Sequence, residues 1–295
     1  MNSFLVCHIK TTLTSNCRPL LHALYPFLIA AAALWAMPKN AHAGGAISPS
    51  FITGLNNPYG LAVFGDTLFV TNYGGNTVGK YSVTTGRASN ASFITGLSGP
   101  EGVAVFGNTL FVANNAGNTV GKYSVTTGHA SNASFITGLN GPFGLAVFGN
   151  TLFVANSFGA TVGEYDATTG AAISPSFIAG LDFPAGLAAF GDTLFVANYG
   201  TGTIGKYDPK TGAAISPSFI TGLNGPFGLA VFGLTLFVTN YAGNTVGKYD
   251  ATTGAAINAS FITGLSAPTG VAVFGNTLFV TNALGDTVGK YGSGD

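Results

Sequence analysis

One phrase, Ser-Phe-Ile-(Thr/Ala)-Gly-Leu, recurs through the chain with starts at Ser50, Ser92, Ser134, Ser176, Ser218 and Ser260, always 42 residues apart and without insertion. A fixed period of this length marks an array of equal supersecondary units, none of which can bury its apolar faces alone. The period therefore limits the fold to stacked or ring-closed repeats before any other property is considered.

Within one unit, Phe51-Ile52-Thr53 is a short β-prone run, and Gly54 to Gly60 reads as a loop. Leu61 to Phe64 and Thr67 to Thr71 are strands joined by the two-residue turn Gly65-Asp66, both of which tolerate positive φ. Asn72 to Asn76 turns again, Thr77 to Val83 is a third strand, Thr84-Thr85-Gly86 is a turn, and Ala88 to Thr95 is a fourth strand. Four antiparallel strands per 42 residues form the blade of a β-propeller. The inner strands are apolar on both faces, as they must be between two neighbouring blades; a sheet with one wet face would alternate. The fourth strand is more polar and carries Pro49, Pro175 and Pro217, which sheet edges tolerate because proline has no N–H to donate.

The expected architecture is therefore an all-β, six-bladed β-propeller of four-stranded blades over residues 44–295. The chain enters on a fourth-type strand at about residues 46–53 and leaves on a third-type strand at Thr287–Tyr291. The N-terminal strand should thus complete the last blade and close the ring. An open solenoid would leave the outer faces of the first and last blades bare, and no capping repeat covers them.

Residues 1–43 do not share the repeat. Lys10 and Arg18 precede the apolar run Phe27 to Met37, and Ala41-His42-Ala43 follows, which is the pattern of a secretory signal peptide. The run falls short of the roughly 20 residues a membrane span requires, so the mature chain is expected to contain no span, and an uncleaved anchor is the alternative. The expected location is secreted, periplasmic or cell-surface, and the expected state is a monomer. Cys7, Cys17 and Trp35 all lie in this segment, which leaves the repeats without disulfide or thiol chemistry. The repeats carry seven basic residues against ten acidic ones. No basic face exists to neutralise phosphates, so nucleic acid is excluded as a partner.

The segment Leu68-Phe69-Val70-Thr71-Asn72, followed by Asn76-Thr77-Val78, resembles the YVTN family of propeller repeats. The opening Pro58-x-Gly60-Leu61-Ala62-Val63 is similar to the NHL repeat. The resemblance recurs in all six units and implies a propeller. These families include surface-layer proteins, interaction modules and, more distantly, SMP-30/gluconolactonase-type hydrolases. The third strand departs from the YVTN pattern by carrying Gly79-Lys80-Tyr81 where apolar residues and Asp are common.

Stacking the repeats separates fixed positions from variable ones. Asn72, Asn114, Asn156, Asn198, Asn240 and Asn282 occupy one invariant column. They could hold a ligand over the channel as a ring of amides, or each could cap its own turn, the role favoured by the turn chemistry of Asn. Two columns vary. The residue inside Pro-x-Gly is Tyr59, Glu101, Phe143, Ala185, Phe227 and Thr269, and the residue after the fixed Asn is Tyr73, Asn115, Ser157, Tyr199, Tyr241 and Ala283. Both columns are expected in loops at one end of the channel, near the start of the innermost strands. Variable loops on a rigid frame carry binding sites, and aromatic side chains suit stacking on a sugar or gripping a peptide. The alternative is that these aromatics merely pack over neighbouring loops. The candidate ligand-binding set is Tyr59, Glu101, Phe143, Phe227, Tyr73, Asn115, Tyr199 and Tyr241, with a protein or a glycan as the partner.

Glu101 is the sole acid in its column. The gluconolactonase-type resemblance implies that a Glu near the channel mouth helps to hold a divalent cation with Asn and Asp partners. Here no Asp is evident at that end: Asp66 and Asp192 fall in hairpin turns at the opposite end and Asp286 elsewhere in the repeat. A hard cation wants more than one carboxylate, so no cofactor is expected, and a divalent cation at Glu101 remains the alternative. Nucleophile machinery is missing, since the one histidine of the repeats, His129, sits in a rim turn where it can serve no serine. No Cys or His cluster suits zinc. Lys80, Lys122, Lys206, Lys248 and Lys290, with Glu164 in the third copy, are expected on a solvated outer face. The leading expectation is a non-catalytic binding propeller. A metal-dependent lactonase-like hydrolase using Glu101 and a structural surface-layer protein are the alternatives.

Overall fold

The computed structural model describes residues 45–294, so the expected signal segment, residues 1–43, lies outside the described residues. Its strands are numbered in chain order. After β1 (Ala46–Ile52), the first blade consists of β2 (Pro58–Phe64), β3 (Thr67–Asn72), β4 (Thr77–Ser82) and β5 (Ala88–Ile94). Four further four-stranded sheets repeat this order, and the sixth is β22 (Pro268–Phe274), β23 (Thr277–Asn282) and β24 (Thr287–Gly292) with β1 as its outer strand. The pairing of β1 with β24 runs antiparallel, with Ala46 opposite Tyr291 and Ile52 opposite Val288. The chain is thus a closed six-bladed β-propeller whose last blade joins both ends of the repeat region.

The innermost strand begins three residues earlier than the apolar pattern suggests. Pro58 pairs with Asn72 and Leu61 with Val70, so Tyr59 and Gly60 together oppose Thr71 alone. This is a β-bulge, and the same register shift occurs in all six blades. The Pro-x-Gly residues therefore stand on a bulged strand beside the channel, where the sequence had suggested a loop. At the hairpin turn only Gly65 takes a left-handed conformation, with φ +54°.

The glycine of each bulge has a steric cause. A Cβ on Gly60 would collide with the Glu101 carbonyl of the next blade, and the same clash runs round the ring from Gly102 to Phe143 and finally from Gly270 to Tyr59. The six blades thus meet backbone to backbone at the axis. Apolar cores fill the seams between blades rather than a common centre: Phe69 and Val78 of the first blade, for example, pack with Leu110 and Tyr123 of the second. Phe69, Phe111, Phe153, Phe195, Phe237 and Phe279 are essentially inaccessible to solvent, and each contributes about 1.5–3 kcal/mol by burial.

Polar latches cross the same seams. Thr71 Oγ1 accepts from the Gly60 N–H and donates to the Glu101 carbonyl of the next blade, both at 2.7 Å. Asn76, left-handed at φ +52°, accepts from the Gly99 N–H at 2.8 Å. The lysine column corrects the expectation of a solvated face. Lys80 Nζ lies 5.0 Å from the Phe93 ring and 5.9 Å from the Phe69 ring and donates to the Val125 carbonyl of the next blade. Lys122, Lys206, Lys248 and Lys290 cover equivalent ring pairs, and Lys248 is buried. The long stem packs on apolar surface while the ammonium finds π faces and carbonyls. The unusual Gly79 of this strand leaves room for the Tyr81 ring, which a Cβ there would strike.

Candidate functional site

The bulges aim the Pro-x-Gly side chains at the channel mouth. Their identities alternate: blades 1, 3 and 5 carry Tyr59, Phe143 and Phe227, and blades 2, 4 and 6 carry Glu101, Ala185 and Thr269. Phe227 meets Tyr59 at 5.8 Å and Phe143 at 5.6 Å between ring centroids, both edge-to-face. Three aromatics spaced two blades apart thus converge and plug the channel. Beneath them lies a small lumen of about 70 Å³ lined by the six x residues and their glycines.

The second variable column joins this cluster from above. Tyr73 packs on Tyr59 at 5.4 Å and Tyr241 on Phe227 at 5.9 Å, while Tyr199 touches both Phe227 and Tyr241 at 6.2 Å. The six aromatic residues singled out in the sequence therefore form one connected group. They do pack on one another, yet over the small residue Ala185 they leave a cup of about 240 Å³, walled by Tyr199, Tyr241, Phe227 and Phe143.

Two cup residues escaped the sequence reading. Phe158 is 60% exposed and Phe183 is 50% exposed, and they meet edge-to-face at 6.1 Å. Phe183 occupies a position that is Gly99, Gly141 and Gly225 in other repeats, and it is held left-handed at φ +48°. That conformation costs a residue with a Cβ about 1–2 kcal/mol. The turn is left-handed at this position in every repeat, at Asn57 and Ala267 as well as at the glycines, so what sets Phe183 apart is the half-exposed ring it carries. Its signal in the sequence is an aromatic in a column whose other members, Asn57, Gly99, Gly141, Gly225 and Ala267, are small.

Glu101 and Asn115 depart from the aromatic pattern. They are the second blade's pair at the two variable positions, which in blades 1 and 5 hold the touching rings Tyr59–Tyr73 and Phe227–Tyr241. Glu101 is 5% exposed and Asn115 is 9% exposed, and Glu101 Oε2 and Asn115 Nδ2 have no hydrogen-bond partner. Burial pushes the Glu101 carboxyl up to about 9, so it is neutral at pH 7. The Tyr59 hydroxyl is pushed up as well, by its own burial first and by Glu101 second.

The invariant Asn column serves the turns. Asn72 Nδ2 donates to Thr77 Oγ1 at 3.3 Å, and its Oδ1 accepts from the Asn56 N–H at 3.4 Å. In the fourth and fifth blades Asn198 and Asn240 keep the bond to threonine, but their Oδ1 atoms are buried without a partner. The acids also require a correction. Asp286 and Asp182 both lie in loops at the mouth end, contrary to the expectation that no Asp is found there. Asp286 is committed to the frame, because its Oδ1 accepts from the Asn57 N–H at 2.7 Å across the closing seam. Among the described residues no group of three or more His, Cys, Asp or Glu side chains comes together. A lone carboxyl offers a divalent cation at most one anionic group, where such an ion seeks several anionic oxygens.

No family model matches the sequence, and no curated protein does so either. Solved structures do resemble the fold. A gluconolactonase from Xanthomonas campestris superimposes with a TM-score of 0.70 at 19% identity, over 85% of this chain and 90% of that one. A catalytically inactive virginiamycin B lyase from Staphylococcus aureus with quinupristin gives 0.63 at 13% identity, over 83% and 98%. A chain of a nidogen/laminin complex gives 0.59 at 20% identity, over 68% and 78%. These neighbours include a lyase, a lactonase and a chain of a protein complex, and at such identities the likeness is one of fold.

Proposed function

We propose that this chain is an exported, non-catalytic binding propeller that takes a glycan or a protein segment in the aromatic cup at one end of its channel. The observation that carries this is Phe183, strained and half exposed at the rim of a cup whose lining holds no charged side chain. Preformed concave sites of this kind, apolar with a few polar groups, are where ligands bind. The basic residues, apolar run and Ala41-His42-Ala43 of segment 1–43 support export. The test is a glycan array and a displayed peptide library probed with the wild-type protein and with a Phe158→Ala/Phe183→Ala double variant. Binding that falls about tenfold or more in the double variant supports the cup; equal binding by both proteins places the site elsewhere. Elemental analysis beside Glu101→Gln is expected to find no stoichiometric divalent metal in either protein. A metal present in the wild type and lost in the variant would put a hydrolase in place of a binding module.

A further inference from the structure

We propose that Glu101 and Asn115 form the polar half of a carbohydrate subsite, hydrogen-bonding a pair of adjacent hydroxyls on a neutral sugar ring at the seam of the first two blades. The proposal rests on the binding function above and narrows its ligand to one class.

Two polar atoms buried in one blade without partners are the starting observation. A buried, unpaired donor or acceptor is costly; Asn198 and Asn240 also have an open Oδ1, but each keeps a bond to its turn threonine, and only the second blade has both of its variable positions filled by side chains with open polar atoms. Their neighbours are aromatic. Tyr59 stands beside Glu101 in the ring of x residues, and Tyr73 lies over Gly99, at whose carbonyl the Asn115 N–H is held at 2.9 Å. Aromatic faces close to a carboxyl and a carboxamide match a sugar, which offers C–H groups on its face and hydroxyls on its rim.

The donors and acceptors narrow the ligand further. Asn115 Nδ2 can only donate, so the ligand must carry an acceptor. An ammonium group or a metal ion has none to offer. A protonated Glu101 both donates and accepts, as does each hydroxyl of a diol, so two neighbouring hydroxyls satisfy both open atoms. No Lys, Arg or His lines the cup or the lumen. The titratable groups that act on Tyr59, beside Glu101, are Tyr73, Tyr199 and Tyr241 as well as Glu101 itself, so an anionic sugar would find no counter-charge.

The probes are the methyl pyranosides of glucose, galactose, mannose and xylose at about 10 mM, read by saturation-transfer NMR with the purified chain. At least one is expected to bind, with an affinity that is flat between about pH 5 and 8 because Glu101 stays neutral across that range. Glu101→Ala and Asn115→Ala are each expected to weaken binding about tenfold, the effect of one lost buried hydrogen bond. Glu101→Gln, which also donates and accepts without charge, should stay within about threefold of the wild type. Melting curves of each variant separate loss of binding from loss of fold. A Glu101→Gln variant as weak as Glu101→Ala would show that charge is required and overturn the diol assignment. Pyranosides that bind all variants alike would overturn the location. Peptides that bind the cup while no pyranoside binds would overturn the ligand class and leave the binding function standing. If neither class binds, both conclusions fall.

Discussion

Adding a hydroxyl at Ala155 should tighten the ring. Thr71, Thr239 and Thr281 each bridge two blades at the axis, accepting from a bulge glycine N–H at 2.6–2.7 Å and donating to the next blade's carbonyl at 2.7 Å. Blades 2, 3 and 4 hold Ala113, Ala155 and Ala197 at this position, all fully buried. The bulge register is the same in these blades, so a threonine at 155 would set its hydroxyl between the Gly144 N–H and the Ala185 carbonyl. Each hydrogen bond adds about 0.5–1.5 kcal/mol net, and threonine loses little rotamer freedom in a strand. Ala155→Thr is therefore expected to add about 1–2 kcal/mol, or roughly 2–8 °C in Tm for a domain of this size. The reciprocal change, Thr71→Val, keeps the shape and strands both backbone partners, which should cost at least about 2 kcal/mol. Thermal and urea unfolding followed by circular dichroism measure both. A destabilised Ala155→Thr, or a neutral Thr71→Val, would refute the account of these latches.

Ala160 is left-handed at φ +54° in a column where Asn76, Asn118 and Asn244 latch the next blade; Ala160→Asn should relieve strain, capture the Phe183 N–H and raise stability by about 1 kcal/mol in urea titration. Glu101 binds its proton more tightly when folded than when unfolded, since burial raises its pKa to about 9. Wild-type stability should thus fall as pH rises from about 4.5 towards 9, and Glu101→Gln should flatten that dependence. Removing residues 45–54 deletes the strand that pairs with β24 and should open the ring, seen as aggregation by light scattering; a monomer with an unchanged Tm would contradict closure.

Much of the ring was legible because repetition averages out local ambiguity. Six copies of one apolar pattern set strand number, hairpin positions and the offset that brings β1 to β24. The bulge was not legible, since nothing in Pro-Tyr-Gly distinguishes a loop from a strand carrying one extra residue; the cue lies in the clash of a Gly60 Cβ with the neighbouring blade, which needs the ring to exist. The lysines were misplaced for a similar reason. Their partners, Phe69 and Phe93 for Lys80, lie on adjacent strands and the accepting carbonyl lies on the next blade, so composition alone suggested solvent. Of the candidate site, the aromatic columns point to the right end of the channel, while Phe158 and Phe183 are hidden because each is the single aromatic in a column of mostly small residues, Gly74, Ala116, Gly200 and Ala242 for the first and Gly99, Gly141, Gly225 and Ala267 for the second.

The seam between blades 3 and 4 differs from its neighbours. Glu164 stands where other seams have lysine, Ala160 where most have asparagine or aspartate, and Ala155 where three have threonine. The seam beyond it also lacks the asparagine and the threonine, having Gly202 and Ala197, but keeps Lys206 over its phenylalanines. What spans the third joint instead comes from the cup itself: the Ser157 hydroxyl on the Pro184 carbonyl at 2.5 Å, and the Phe158–Phe183 pair. A guest lodged there would act as a keystone, and the molecule would be stiffer loaded than empty.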